Sequence, residues 1–429
     1  MSSSLPIGWK LEPLGQLAQV VSGGTPSRHV PEFWRDGTIP WVTPTDITNT
    51  GGRYLSESCE GITELGLQSC SAKKLPSGAL LMTSRATLGE VRIALREVCT
   101  NQGFKSLIPF KGVNGHFLYY QIGLNKERYK GFGIGSTFLE VNKRDTERFE
   151  LLVAPEPEQR RIAEIISTVD EAIEQTEALI AKYQQVKAGL MHDLFTRGVT
   201  PDGHLRPARS QALHLYKDSP LGWIPKEWEI QRLDSVAEVS RGKFTIRPRN
   251  DPRFYGGQYP FIQTGDVALS EGRTLNSYSQ TLNEMGLSVS RLFPFGTIMV
   301  TIAANIADTC IIGIPMCAPD SLVGVQPKAQ ENARFIELSI RRRKTWLAAR
   351  APQTAQRNIN LEDLRPLLIL WPRERERSRI SEMYETQDAA IEICEAHRQK
   401  LQKQKQGLMQ DLLTGRVRVK VGESQELQA

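Results

Sequence analysis

The chain repeats itself. The stretch from Glu158 to Arg197 aligns without gaps to Glu376 to Gly415 at an offset of 218 residues, and 20 of the 40 pairs are identical. The same offset pairs Leu75-Pro76-Ser77-Gly78 with Phe293-Pro294-Phe295-Gly296, Asn101-Gln102 with Pro319-Asp320, and Val141-Asn142 with Ile359-Asn360. A shift of one or two residues adds Trp9 with Trp228, Leu14 with Leu233, and Pro40-Trp41 with Pro260-Phe261. Between these anchors the halves differ heavily. A duplication that keeps one long segment and lets the other diverge predicts a shared scaffold carrying two unlike recognition modules.

The shared segment has the period of a long helix. Ile162, Ile166, Val169, Ile173, Thr176, Ile180, Tyr183, Lys187, Leu190 and Leu194 step alternately by four and three residues, the seam of a left-handed coiled coil. Its counterpart, Ile380, Tyr384, Gln387, Ile391, Cys394, Arg398, Leu401, Lys405, Leu408 and Leu412, keeps the period with more polar interruptions. Each begins just after a proline (Pro157, Pro372) and fades near a glycine (Gly198, Gly415), as helix ends do. A helix of this size is roughly 60 Å long. Two amphipathic helices, each packed on its own domain, would satisfy either pattern alone. Two seams in one register favour an antiparallel pair acting as an intramolecular spacer.

The divergent segments have another texture. Ile39 to Val42, Leu80 to Thr83, Val91 to Leu95, Ile298 to Ile302 and Cys310 to Ile314 are apolar or β-branched runs punctuated by Gly, Pro, Asn and Asp, which predicts strands. The expected fold class is α+β: a tandem duplication of a mixed α/β domain followed by a long helix, the two helices pairing as an antiparallel coiled coil. Its parts are a first domain over 1–157, a helix over 158–197, a connecting loop over 198–219, a second domain over 220–372, a second helix over 373–415 and a tail over 416–429. The polar end of that tail is expected to be disordered.

Several chemistries lack their parts. Six cysteines occur without a CxxC pair, and six histidines show no HExxH or CxxC…HxxxH spacing, which argues against a zinc site or a disulfide scaffold. No GxxxxGK[ST] cradle for a nucleotide occurs. Tyr129-Lys130-Gly131-Phe132-Gly133 superficially fits a methyl-donor loop, but no apolar strand precedes it, and residues 131 to 135 read better as a glycine-rich loop. No run approaches 18 apolar residues and no signal peptide is evident, so a cytoplasmic protein without membrane attachment is expected.

A balance of 54 Lys+Arg against 48 Asp+Glu is too mild to name a partner, so placement of charge matters more. Basic side chains cluster in the divergent segments: Lys126, Arg128, Lys130, Lys143 and Arg144 in the first, Arg241, Lys243, Arg247, Arg249 and Arg253 in the second, then Arg341, Arg342, Arg343 and Lys344. Such clusters can neutralise phosphates while short polar side chains read base edges. Candidates for the second role follow strand-like runs: Thr43, Thr45 and Asp46, then Thr83, Ser84 and Arg85, with Gln263, Thr264, Asp266, Thr301 and Asn305 in the second half. The competing role for each Thr or Asp is to cap a helix or close a turn. Two unlike basic domains on a rigid spacer suit a split site on a duplex, whose half-sites one helical turn apart lie about 34 Å from each other.

With these residues in hand the chain resembles the specificity (HsdS) subunit of type I restriction-modification systems over essentially its whole length. The resemblance rests on Leu5-Pro6-Ile7-Gly8-Trp9 and Pro220-Leu221-Gly222-Trp223 at the domain starts, and on Gly23-Gly24-Thr25-Pro26 followed by Ile39-Pro40-Trp41-Val42-Thr43-Pro44-Thr45-Asp46. Pro155-x-Pro157-Glu158-Gln159-x-Arg161-Ile162 leads into the first helix, and Gly-Leu-Met-x-Asp-Leu closes both at Gly189 to Leu194 and Gly407 to Leu412. The second half departs from the pattern, with Arg241-Gly242-Lys243-Phe244 in place of Gly-Gly-Thr-Pro and Trp371-Pro372-Arg373-Glu374 before the second helix.

The resemblance implies two target-recognition domains that each read one half of a bipartite double-stranded DNA site. It implies helices over Ile162 to Leu194 and Ile380 to Leu412 that set the spacing and dock partners. The subunit so implied is non-catalytic and carries no cofactor. It recruits two modification subunits, which use S-adenosylmethionine to methylate adenine N6, and restriction subunits that use ATP and Mg. Three alternatives remain open on sequence: a related split-site system without the translocase, a coiled-coil adaptor that binds protein, and a self-contained methyltransferase built on Gly131 and Gly133.

Overall fold

The computed structural model describes residues 5–133, 139–303, 305–350 and 358–421. They fall into two compact units, Met1–Ala181 with Ile393–Ala429, and Lys182–Glu392. The same architecture is built in each.

In the first unit a five-stranded sheet runs in the order Ala18–Ser22, Lys105–Pro109, Leu80–Met82, Val91–Ala94, Tyr54–Leu55, antiparallel except for the last pair. Its middle strand, Leu80–Met82, is apolar and buried at every position because both faces are covered. Leu80 and Met82 face a cluster with Leu118 and Ile122 of the helix Gly115–Leu124, while Leu81 points the other way onto Val42 and Ile47. Val42 belongs to a second, three-stranded sheet in which Ile39–Val42 lies between Gly61–Ile62 and Cys99–Thr100. A ribbon of Lys10–Pro13 with Glu150–Val153 leads into the first long helix.

The second unit repeats the sheet order strand for strand: Ala237–Arg241, Leu322–Pro327, Ile298–Thr301, Thr309–Ile312, Thr274–Leu275. Again Ile298 and Val300 pack on one side with Ile336 and Ile340, and Met299 on the other with Ile262 and Val267. The smaller sheet gains a strand, running Gln280–Leu282, Tyr255–Phe261, Met316–Ala318, Arg291–Phe293. The strand expectations thus hold in both halves to within a residue or two.

The long helices span Glu156–Thr196 and Glu374–Leu412. Past each end, Gly198 and Gly415 take left-handed φ of 66° and 69°, a conformation that costs glycine little. In the first unit Ile162, Ala163 and Ile166 from the start of the first helix pack with Leu408, Met409, Leu412 and Leu413 from the end of the second, under Trp9 and Phe117. The second unit exchanges the roles: Leu190, Leu194 and Phe195 pack with Ile380 and Tyr384 under Trp228 and Phe335. The pairing is antiparallel in both. Among the expected seam positions Ile162, Ile166, Ile173, Ile180, Leu194, Ile380, Tyr384, Ile391 and Leu412 are buried, and Val169, Leu190, Leu401 and Leu408 are partly so. Each fully buried aliphatic side chain contributes about 1.5–3 kcal/mol.

The seam also carries charge, in duplicate. Asp170 meets Lys405 at 2.6 Å in the first unit, and its repeat mate Asp388 meets Lys187 in the second. Onto each aspartate comes an arginine from the globular domain: Arg53 at 3.9 Å from Asp170 and 3.4 Å from Glu174, Arg273 at 3.7 Å from Asp388 and 3.3 Å from Glu392. The domain is thereby fixed to the helix pair by the same ion cluster in each repeat.

The connecting segment 198–219, expected as a loop, is irregular but tightly held. Tyr216–Lys217 pairs with Ile224–Pro225, and Arg206, only 7% exposed, donates to Glu376 at the start of the second helix at 3.0 Å. Arg418 does the same for Glu158 at 2.9 Å in the first unit. Residues 422–429 of the expected disordered tail lie outside the described residues. No described helix is long and apolar enough to cross a membrane.

Candidate nucleic-acid interface

In the first unit the expected polar readers gather around one loop, Asn101–Gly103. Ser84 N donates to Gly103 O at 2.7 Å, and an added Cβ on Gly103 would lie 3.2 Å from Pro44 Cγ, so the helix Pro44–Asn49 and the Thr83–Arg85 loop border the same hub. The second unit builds the equivalent hub from Pro319–Ser321, where Ile302 N donates to Ser321 O at 3.2 Å and Arg241 Nε to Asp320 O at 2.6 Å.

Individual side chains divide into frame and rim. Asp46 is buried and accepts from Thr43 N and Thr43 Oγ1, both at 2.7 Å, and from Cys59 N at 2.9 Å. Burial alone would raise its carboxyl, but the Thr43 hydroxyl and the two backbone donors outweigh that and hold it below the usual carboxylate range. Asp266 repeats the device with Gln263 N at 2.7 Å and Ser279 Oγ at 2.8 Å. Thr83 and Thr301 are fully buried and bind their own turns: Thr83 Oγ1 accepts from Glu90 N at 3.1 Å and Thr301 Oγ1 from Asp308 N at 3.0 Å, while each donates back to the turn, at Thr87 O and Asn305 O. Ser84 is also fully buried and accepts from Lys105 Nζ at 3.3 Å, a lysine whose burial lowers its pKa. Helix capping therefore occupies Thr43, Asp46 and Asp266, and turn closure occupies Thr83 and Thr301.

The rim is exposed. Thr45, Arg85, Arg128, Lys143, Arg241, Lys243, Arg247 and Asn305 reach solvent, Thr264 is partly covered at the start of the helix Thr264–Leu269, and Lys126 and Lys130 are partly covered. Arg85 pairs with Glu140 at 2.8 Å, Lys130 with Glu127 at 2.6 Å, Lys143 with Glu147 at 3.6 Å and Lys126 with Glu90. In the second unit Arg241, Arg247 and Arg249 converge on Asp320, with Arg249 at 2.7 Å and Arg247 at 3.6 Å. Arg247 and Arg249 share the Asp320 carboxylate while Arg241 takes only its backbone carbonyl, so one negative charge faces three cations and the surface stays positive. Arg342 stands apart from this surface, donating to Phe195 O at 3.0 Å, where it satisfies a terminal carbonyl of the first long helix. Its neighbour Arg341 is held by Glu337 at 3.0 Å and by the Tyr384 hydroxyl at 2.7 Å. Arg341 and Arg342 are therefore attached to the scaffold, whereas Lys344 pairs with Asp308.

Sequence reasoning passed over Arg28, which stacks 3.6 Å from the Trp34 ring and takes both Glu60 oxygens at 2.7 Å, and over Asn250 and Gln280 beside Arg249. The signal was present: Glu60 and Gln280 each follow the residue that contacts the capping aspartate, Cys59 or Ser279. Gly131 ends the helix Lys126–Lys130, and Gly135 lies outside the described residues.

A duplicated α+β domain with a different polar rim in each copy defines a two-module recognition protein, and comparison with known proteins agrees. The family described as "Type I restriction modification DNA specificity domain" matches twice, over residues 6–184 and 225–403. The chain belongs to that family. It is similar to the type I restriction enzyme MjaIX specificity subunit of Methanocaldococcus jannaschii, 31% identical over 66% of this chain and 63% of that one. It is also similar to the MjaVIII specificity subunit of the same organism, 23% identical over 97% of this chain and 94% of that one. The fold matches the crystal structure of a type I restriction-modification S subunit from M. genitalium, with TM-score 0.61 and 15% identity over 96% of this chain and 98% of that chain.

Proposed function

We propose that this chain is the non-catalytic DNA-reading subunit of a type I restriction-modification complex in the cytoplasm, each globular domain reading one half of a bipartite duplex site. The observation that carries the reading is the contrast between a frame repeated strand for strand and two rims that share almost no side chains. Phosphate contacts fall to Arg85, Arg128, Lys126, Lys130 and Lys143 in one domain and to Arg241, Lys243, Arg247 and Arg249 in the other. Methylation and cleavage belong to two modification subunits with S-adenosylmethionine and to restriction subunits with ATP and Mg. Gly189 and Gly407 support the docking of two equal partners. They sit exposed within the long helices at matching places, and beyond their own helix backbone nothing lies within 4 Å of an added Cβ. Glycine there costs about 1 kcal/mol against alanine, a cost that close approach of another backbone justifies.

The test is to co-express the chain with its modification subunit in a methylation-free host and map N6-methyladenine by sequencing. A split motif with a fixed spacer, lost when this chain is omitted, is the expected result. No motif from a soluble complex would refute the reading.

A further inference from the structure

The second domain has an open cleft of about 590 Å³ whose walls include Arg249, Asn250, Tyr255, Gln263 and Gln280. Asn250, Gln263 and Gln280 bring side-chain amides and Arg249 a guanidinium, and no carboxylate, histidine or cysteine stands among the lining residues. Such a lining suits recognition of a polar edge rather than chemistry.

Its amides are also held in place. Asp266 accepts from Gln263 N at 2.7 Å and from Ser279 Oγ at 2.8 Å, so one carboxylate fixes both the residue that bears the first amide and the neighbour of the residue that bears the second. Gln263 Nε2 then donates to Gln280 Oε1 at 3.2 Å. Gln280 opens the strand Gln280–Leu282 and is exposed, with both Nε2 protons and one Oε1 lone pair left for a ligand. Across the cleft the Tyr255 hydroxyl donates to Arg249 O, and Arg249 lies 2.7 Å from Asp320, which steadies the loop that carries Asn250. In the first domain the same frame presents other chemistry: Glu60 occupies the place of Gln280 and Thr43 that of Gln263, and Glu60 is taken up by Arg28. The position varies while its support is kept, as a specificity determinant requires.

Resting on the reading above, we propose that Gln280, oriented by Gln263, reads an adenine of the second half-site in the major groove, with Asn250 contacting the same or the adjacent pair. An amide offers one donor and one acceptor side by side, which matches N7 and N6–H of adenine and no other base. The experiment is the methylation map of the full complex with Gln280→Ala, Gln280→Glu and Asn250→Ala. The first variant should relax one A·T position of the second half-site by roughly tenfold to a hundredfold. Gln280→Glu, which only accepts, should move the preference at that position toward cytosine, whose N4 donates. The first half-site should stay fixed, which also reports that the complex is folded. An unchanged second half-site with Gln280→Ala, or a change confined to the first, would overturn the assignment. A wild-type complex without any split motif would instead overturn the reading on which it rests, and this inference with it.

Discussion

Replacing Arg53 by alanine should destabilise the first unit by about 3–5 kcal/mol, the range for a buried charge cluster that loses one member. Arg53 is only 4% exposed and lies among Asp170, Glu171, Glu174 and the hydroxyl of Tyr120, which it meets at 3.3 Å. Burial opposes its charge, yet the Tyr120 hydroxyl and Glu174 more than offset this and raise its pKa above the ordinary arginine value. Without it, Asp170 keeps Lys405 and the Tyr120 hydroxyl at 2.7 Å but loses its neutralising neighbour on the domain side. Lysine should recover part of the loss, because it restores the charge without the guanidinium fork. Arg273→Ala should cost less in the second unit, since Arg273 is 24% exposed and its cluster is partly hydrated. Urea denaturation of the full chain measures both. Equal small effects at Arg53 and at an exposed arginine such as Arg35 would contradict the account.

Gly23→Ala and Gly242→Ala should each cost about 3 kcal/mol or more, the upper end of overpacking. An added Cβ would lie 1.9 Å from Asn101 O at Gly23 and 2.1 Å from Pro319 O at Gly242. Both obstacles are backbone of the hub loops, so no side chain can turn aside to make room. Gly51, with nothing within 4 Å of its Cβ position, serves as the control and should change stability by well under 1 kcal/mol. Thermal melting of the three variants checks this, and a harmless Gly242→Ala would show that the hub can move.

These two sites also mark where sequence sufficed and where it fell short. Arg241-Gly242-Lys243-Phe244 looked like a departure from Gly-Gly-Thr-Pro, whereas the structure puts Gly242 against the backbone of its hub loop just as Gly23 is in the first unit. The long helices and most strands were legible because apolar period depends on local spacing alone. The charged seam was not. Asp170, Glu174 and Lys187 are identical to their repeat mates, but charge on a helix reads as solvated until a third element such as Arg53 closes over it. Thr83 and Ser84 resembled exposed readers because a hydroxyl after a strand gives no sign that it will bond its own turn, as Thr83 does, or be buried against Lys105, as Ser84 is. Arg342 belonged by composition to a basic run, and only packing directs it to Phe195 O. Arg206 lay in a segment without period, where a buried ion pair leaves no local pattern.

The central claim is that each repeat reads its own half-site on a common scaffold. Its most direct test is to replace residues 1–155 with the corresponding domain of a relative and map N6-methyladenine in the assembled complex. The account predicts a new first half-site, an unchanged second half-site and the same spacer. Alteration of both half-sites would contradict it.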